Sequence, residues 1–134
     1  MKKYLLDTHT LIWAIVHDEK LSKKVLKIMQ DSDNQLFASA VSLWEMAIKY
    51  SKGKIKWENL QLWDIPLYCK LLGIKLIPLL PEEAISYANL PLFENHKDPF
   101  DRMLIYQCII GNYTLVSKDE KMKFYVNDGL YCIW

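Results

Sequence analysis

Hydrophobic positions along the chain alternate between short apolar runs and longer stretches in which apolar residues recur every three or four positions. The short runs predict buried strands, and the periodic stretches predict amphipathic helices. The predicted strands are Lys3–Leu6, Gln35–Ser39, Lys75–Ile77, Tyr113–Val116 and, as a possible fifth, Leu130–Ile133. Strands that alternate with helices predict an α/β fold, with a central, mostly parallel sheet of four to five strands and helices on both faces.

Capping residues, prolines and glycines mark where the helices begin and end. The first predicted helix begins near Leu11, capped by Thr8 and Thr10, and the second spans Leu21 to about Asp31. The third runs from Ser42 to before Gly53, and Trp57–Leu72 is predicted to form one or two helices. A short helix starts at Pro81, and the last long one runs from Pro99 to Ile110. Asp98 is expected to be the N-cap of the Pro99 helix, and Asp119 can cap a short final helix.

A length of 134 residues is typical of one domain, so residues 1–134 are interpreted as a single domain. No apolar run is long enough to span a bilayer, and the N-terminus reaches Asp7 and His9 before an apolar region develops. We therefore expect a cytoplasmic protein with no membrane partner. Three scattered cysteines, an odd number, are expected to be reduced thiols.

The charge pattern does not by itself indicate a nucleic-acid partner. Net charge is only +1, although Lys49, Lys52, Lys54 and Lys56 are concentrated in one stretch. That stretch is either a solvated helix face or a phosphate-binding patch.

Four acidic residues stand where a parallel sheet would place a ligand. Asp7 ends the first strand, Asp119 follows the fourth, Glu45 lies in the helix after the second strand, and Asp101 lies in the helix before the fourth. Ligands of such sheets bind outside the carboxyl ends of the strands, so all four acids can converge at one edge.

Each acid also has a purely structural interpretation. Asp7 and Asp119 can cap helices, Asp101 suits the dipole of a helix N-terminus, and Glu45 can form a capping box with Ser42. The functional interpretation therefore depends on the whole set.

The set also resembles a known family. Its motifs are YLLDTHTLIWA at residues 4–14, SLWEMAIK at 42–49 followed by Gly53 and Lys54, HKDPFDRMLI at 96–105, and LVSKD at 115–119. Together they resemble PIN-domain proteins, and in particular the VapC-like toxins. The resemblance implies a three-layer α/β/α domain whose acidic pocket is Asp7, Glu45, Asp101 and Asp119. It also implies an endoribonuclease that holds Mg²⁺ or Mn²⁺, forms a homodimer and is silenced by an antitoxin protein. Thr10 and Met122 depart from the usual pattern, at positions where packing is expected to be affected.

The chemistry of four carboxylates agrees with this. Phosphodiester hydrolysis needs an activated water and a neutralised leaving oxygen, and one or two divalent ions can supply both. Mg²⁺ prefers oxygen ligands, whereas clustered carboxylates repel one another without a cation. Zinc is disfavoured, since no His or Cys lies at ligand spacing among these acids.

The candidate residues divide into two groups. Asp7 and Asp101 are expected to be the most direct metal ligands, and Glu45 and Asp119 to complete the shell, bind through water or orient the attacking water. The outer candidates include Thr8, Ser39 and Ser117, which can orient carboxylates or cap helices. Asp98 is assigned mainly to capping. Arg102 is expected to pair with a pocket carboxylate or to contact substrate phosphate.

Other functions remain open at this stage. A metal-independent ribonuclease would use His9 and His96 as acid and base. A catalytically silent PIN-like module would only bind RNA or protein. An aspartyl-phosphate phosphatase is disfavoured because position 9 is His, so that no Asp-x-Asp follows the first strand. Trp13, Trp44, Trp57 and Trp63 are expected in the core or, if exposed, on a dimer or antitoxin surface.

Overall fold

The computed structural model describes residues 2–134 and contains a parallel sheet. Its strands are β1 (Lys3–Leu6), β2 (Gln35–Ser39), β3 (Ile74–Ile77), β4 (Thr114–Val116) and β5 (Tyr131–Ile133). They lie in the order β3-β2-β1-β4-β5, and every neighbouring pair is parallel. The predicted parallel sheet is confirmed, with the fifth strand included.

Helices connect these strands. The α-helices are α1 (Thr8–Val16), α2 (Lys23–Gln30), α3 (Ala40–Ser51), α4 (Ile65–Leu71), α5 (Pro81–Ser86) and α6 (Pro99–Gly111). The 3-10 helices are Asp18–Lys20, Leu62–Asp64, Tyr87–Asn89 and Glu120–Asp128. None of the helices within residues 2–134 is long and apolar enough to cross a membrane.

Two helix starts were predicted too late. Helix α1 begins at Thr8 instead of near Leu11, and α3 begins at Ala40 instead of Ser42. In both cases the cap is the residue before the helix: Asp7 Oδ1 accepts from the Thr10 amide, and Ser39 Oγ accepts from the Val41 amide. Each strand therefore turns directly into its helix, with no loop between them.

The middle of the chain is less helical than predicted. Of the predicted span Trp57–Leu72, only Leu62–Asp64 and α4 are helical. The later prediction was accurate: α6 begins at Pro99, with Asp98 as its N-cap, and ends at the left-handed residue Asn112.

Two hydrophobic cores lie on opposite faces of the sheet. Leu6 packs in one cluster with residues of α1, α2 and α4, whereas the adjacent Leu5 packs in the other with residues of α6. Successive side chains of a strand point to opposite faces, so β1 contributes to both cores. The result is the expected three-layer α/β/α arrangement.

Strand β1 occupies the centre of the sheet, between β2 and β4. Leu5 is in register with Phe37 of β2, and Leu6 with Val116 of β4. The pairing continues one residue further, since the Asp7 amide donates to the Val116 carbonyl at 3.1 Å. The carboxyl end of β1 is thus held next to the ends of its two neighbours.

Candidate functional site

Asp7 is the innermost acid at this edge of the sheet. Its side chain is buried, and one carboxylate oxygen accepts a 2.9 Å hydrogen bond from the Thr10 amide. Burial raises the pKa of the Asp7 carboxyl, while hydrogen bonds from Ser117 and Thr10 act in the opposite direction. Asp7 therefore has both the capping role that was predicted as its structural alternative and a place at the site.

Glu45 is fixed by two side chains. Its Oε1 accepts a 2.6 Å hydrogen bond from the Thr8 hydroxyl, and its Oε2 lies 2.9 Å from Lys49 Nζ. Thr8 Oγ1 also lies 3.0 Å from Ser42 Oγ. The alternative in which Glu45 caps the helix at Ser42 is wrong, because Glu45 lies inside α3, well after the first turn.

Asp101 shows most directly that the acids act on one another. Burial is the largest cause that raises the pKa of its carboxyl, to about 7, and the negative charges of Asp98, Glu45, Asp7 and Asp119 raise it further. Like charges at short range disfavour ionisation. The sheet and α6 thus bring together acids that are up to 112 residues apart in sequence (7 to 119).

Three of the acids line one open cavity. Asp7, Asp101 and Asp119 surround a space of about 450 Å³. The other residues that line it are His9, Trp13 and Lys118. Asp119 is exposed at the rim, where its Oδ1 accepts from the Lys121 amide and caps the last 3-10 helix.

A histidine lies among the acids. One ligand atom each of His96, Asp101 and Asp119 lies within 4.8 Å of the other two, and His96 Nε2 is 3.6 Å from Asp101 Oδ2. The expectation that no histidine or cysteine would lie at ligand spacing among these acids is therefore wrong in the folded protein, because the chain brings His96 back over the first turn of α6. Burial lowers the pKa of the His96 ring, so the neutral form is favoured.

Arg102 is placed differently from the prediction. Its side chain is buried, and it donates to the hydroxyls of Tyr87 and Tyr125 and to the carbonyls of Leu90 and Pro91. None of these partners is a carboxylate, so the expected pairing with a pocket acid is wrong. A guanidinium with five donors is satisfied here by neutral oxygens that two tyrosines and one loop provide.

The remaining outer candidates are mainly caps. Ser39 Oγ accepts from Val41, Ser117 Oγ accepts from the Asp119 amide, and Asp98 Oδ1 accepts from the amides of Phe100 and Asp101. Asp98 also raises the pKa of Asp101 through its charge. Ser117 acts on two site residues, since its side chain also lowers the pKa of Asp7.

Sequence reasoning missed two contacts of the site. Lys49 was assigned to a basic stretch, although its spacing of four residues from Glu45 is the spacing at which helical side chains pair. Tyr125, whose hydroxyl lies 2.8 Å from His96 Nδ1, carried no signal in the sequence.

The chain is similar to one family model and to several solved structures. The sequence model of the PIN domain matches residues 4–127. No curated protein matches the chain. Among solved structures, the chain is similar to VapBC2 from Rickettsia felis bound to a promoter DNA fragment, with 18% identity over 98% of this chain and 97% of that chain and a TM-score of 0.63. It is similar to VapBC-1 from nontypeable Haemophilus influenzae, with 17% identity over 98% of this chain and 96% of that chain and a TM-score of 0.66. It is also similar to DNA-bound VapBC from Salmonella typhimurium, with 17% identity over 99% of this chain and 98% of that chain and a TM-score of 0.65.

Proposed function

The chain belongs to the PIN-domain family, and on that premise we propose that it is a Mg²⁺-dependent endoribonuclease, the toxin of a toxin–antitoxin pair. The observation that carries the proposal is the cluster of acids around Asp101: burial of this carboxyl, together with the charges of the neighbouring acids, raises its pKa to about 7. Such a cluster is costly for a protein without a cation and suits a divalent ion.

The donor set fits Mg²⁺ or Mn²⁺. We assign Asp7 and Asp101 as direct ligands, because both border the cavity and both have raised pKa values that a bound cation would lower. Glu45 and Asp119 complete the shell, bind through water or orient the attacking water. All four donors are carboxylate oxygens, the ligands that these hard ions prefer.

The chain's own residues position the reaction. The bound ion would activate water and neutralise the leaving oxygen. Thr8 and Lys49 hold the two oxygens of Glu45 at fixed positions, so that this carboxylate is oriented before substrate arrives. Asp119 lies at the rim beside Lys118, a cation available to an RNA phosphate that enters the cavity.

The partners follow from the surface and from the similar structures. Trp63 is 78% exposed and Trp44 is 60% exposed, and Leu67 and Leu71 are exposed on α4. Exposed aromatic and aliphatic side chains of this size indicate a protein interface. The similar folds were solved as VapBC complexes, which supports an antitoxin as a partner; a homodimer and a cytoplasmic location complete the proposal.

The histidine alternative has less support. His96 is buried and its Nδ1 is bound to Tyr125, so its ring is not free to reach a ribose hydroxyl. His9 is exposed at the cavity but would act without a second accessible histidine near it.

Cleavage of total cellular RNA by the purified protein tests the proposal. The reaction is run with Mg²⁺, with Mn²⁺ and with EDTA, beside Asp101→Asn and the control Asp33→Asn, which changes an exposed aspartate outside the cluster. We expect discrete fragments that disappear with EDTA and with Asp101→Asn and persist with Asp33→Asn. Cleavage that survives both would assign the chemistry to the histidines. A folded protein that neither cleaves nor binds metal would be the silent binding module.

A further inference from the structure

His96 directs an unused nitrogen at a site acid. The side chain is 3% exposed, and its Nε2 has no hydrogen-bond partner among residues 2–134, while Asp101 Oδ2 lies 3.6 Å away. Buried polar atoms are almost always satisfied, so an unpaired nitrogen beside Asp101 needs an explanation. A neutral imidazole offers two: a bare Nε2 would be a metal ligand, and a protonated Nε2 would be a donor.

The contacts on the other side of the ring decide between the two. Arg102 is always charged and can only donate, so Tyr125 Oη accepts the 3.0 Å hydrogen bond from Arg102 Nη1. Tyr125 is fully buried, and its remaining close partner is His96 Nδ1 at 2.8 Å.

The single hydroxyl proton of Tyr125 therefore belongs on the line to His96. If Nδ1 were the protonated nitrogen, both Arg102 and His96 would donate to Tyr125, whose own proton would then have no acceptor. A buried unsatisfied donor costs about 1–3 kcal/mol. If Tyr125 donates to Nδ1, both the Tyr125 hydroxyl proton and Nδ1 are paired, and the proton of the neutral ring must lie on Nε2.

We propose that His96 is a positioning residue, which donates from Nε2–H to the Asp101 carboxylate and is excluded from the metal shell by that proton. The consequence of this role rests on the proposed function. With the histidine nitrogen excluded, only oxygen ligands remain for the metal, and these favour Mg²⁺ or Mn²⁺ over zinc. Arg102, which is three contacts away from Asp101, sets the tautomer of His96 through Tyr125. A shift of Asp101 by ~0.4 Å brings the 3.6 Å separation within the usual range for such bonds.

The first test is ¹⁵N NMR of the histidine side chains of the whole protein, without metal or RNA. The exposed His9 and His17 serve as internal references in the same spectrum. We expect one His96 tautomer, with the proton on Nε2, and a mixture of tautomers in Tyr125→Phe, which removes the hydroxyl proton. A proton on Nδ1 in the unaltered protein would overturn the proposal, as would an unchanged tautomer in Tyr125→Phe.

The second test uses two substitutions that divide the ring's contacts. The amide of His96→Gln places a donor near the Nε2 position, whereas the shorter amide of His96→Asn reaches only the Nδ1 position and leaves no donor near Nε2. Titration with Mn²⁺ should show about 10-fold weaker binding for His96→Asn, the effect typical of losing an outer hydrogen bond to a ligand, and near-normal binding for His96→Gln. Equal weakening in both, or coupling of a histidine nitrogen to bound Mn²⁺ in the electron spin echo spectrum, would refute the donor role.

Both readouts are independent of RNA cleavage. A protein with the Nε2–H tautomer and the expected Mn²⁺ affinities that cleaves no RNA would leave the role of His96 intact and contradict the nuclease. A protein that cleaves RNA with Mg²⁺ but has an unprotonated Nε2 would support the nuclease and contradict the role proposed for His96.

Discussion

Replacing Asp101 by Asn should stabilise the metal-free protein at alkaline pH while abolishing its response to Mg²⁺. Burial and the charges of four neighbouring acids raise the pKa of the Asp101 carboxyl from 3.8 to about 7. Between these two values the folded state binds a proton that the unfolded state has released, so stability falls as pH rises through the window. At about 1.4 kcal/mol per pH unit, the loss reaches up to about 4 kcal/mol and is complete above pH 7.

An asparagine at position 101 has nearly the same shape but no charge to release. In EDTA at pH 8, we expect Asp101→Asn to exceed the parent protein in free energy of unfolding by about 2–4 kcal/mol, and to match it near pH 4, where Asp101 is protonated in the folded state. Urea denaturation followed by tryptophan fluorescence measures this at both pH values. With saturating Mg²⁺ at pH 8, only the parent protein should gain stability.

The exposed Asp33→Asn provides the matched control, because it removes the same charge outside the cluster. The electrostatic reasoning fails if Asp101→Asn is less stable than the parent protein in EDTA at pH 8, or if Asp33→Asn stabilises as much. A parent protein whose stability rises from pH 5 to pH 8 in EDTA would contradict the sign of the effect.

Three further predictions follow from the contacts of the site. Arg102→Met should lower the free energy of unfolding by about 3 kcal/mol or more in urea denaturation, because the hydroxyls of Tyr87 and buried Tyr125 and two carbonyls lose their partner. A loss below about 1 kcal/mol would contradict this. Thr8→Val should weaken Mg²⁺ binding about 10-fold by calorimetry through loss of the hydrogen bond to Glu45, whereas the distant cap variant Ser22→Ala should bind normally; equal affinities in both would count against the role of Thr8. Mg²⁺ at about 100 times its Kd should raise the free energy of unfolding by about 2.7 kcal/mol. The Kd for Mg²⁺ should be larger at pH 6 than at pH 8, because protons compete with the ion for Asp101. A Kd independent of pH would exclude that competition.

The positions of two acidic residues, Asp7 and Asp98, could be predicted because they depend on local rules. Asp7 ends an apolar run, and Asp98 precedes Pro99, a common helix start, so strand and helix bounds located both residues closely. The helix starts after β1 and β2 were missed because the strand's last residue or the next one is itself the cap, which leaves no polar loop to mark the boundary.

The hydrogen bonds of His96 and Arg102 could not be predicted in the same way. Their partner Tyr125 lies 29 residues after His96 and 23 after Arg102, in a 3-10 helix that packs against α6 only in the folded protein. An arginine beside an acid in sequence suggested an ion pair, but adjacent residues of a helix point in different directions. Arg102 therefore points into the protein, towards Tyr87 and the Leu90–Pro91 backbone, while Asp101 faces the cavity.

The central position of β1 has a consequence for synthesis on the ribosome. Asp7 emerges first, but its strand remains without one neighbour until β4 has been translated, and Asp119 follows β4 by three residues. At about 5–20 residues per second, several seconds of translation separate the first acid from the last. A chain that terminates before residue 114 lacks both β4, one of the two strands that border β1, and the final acid. The proposed nuclease is therefore inactive throughout most of its own translation, and prematurely terminated chains are expected to be harmless to the RNA of the cell that makes them.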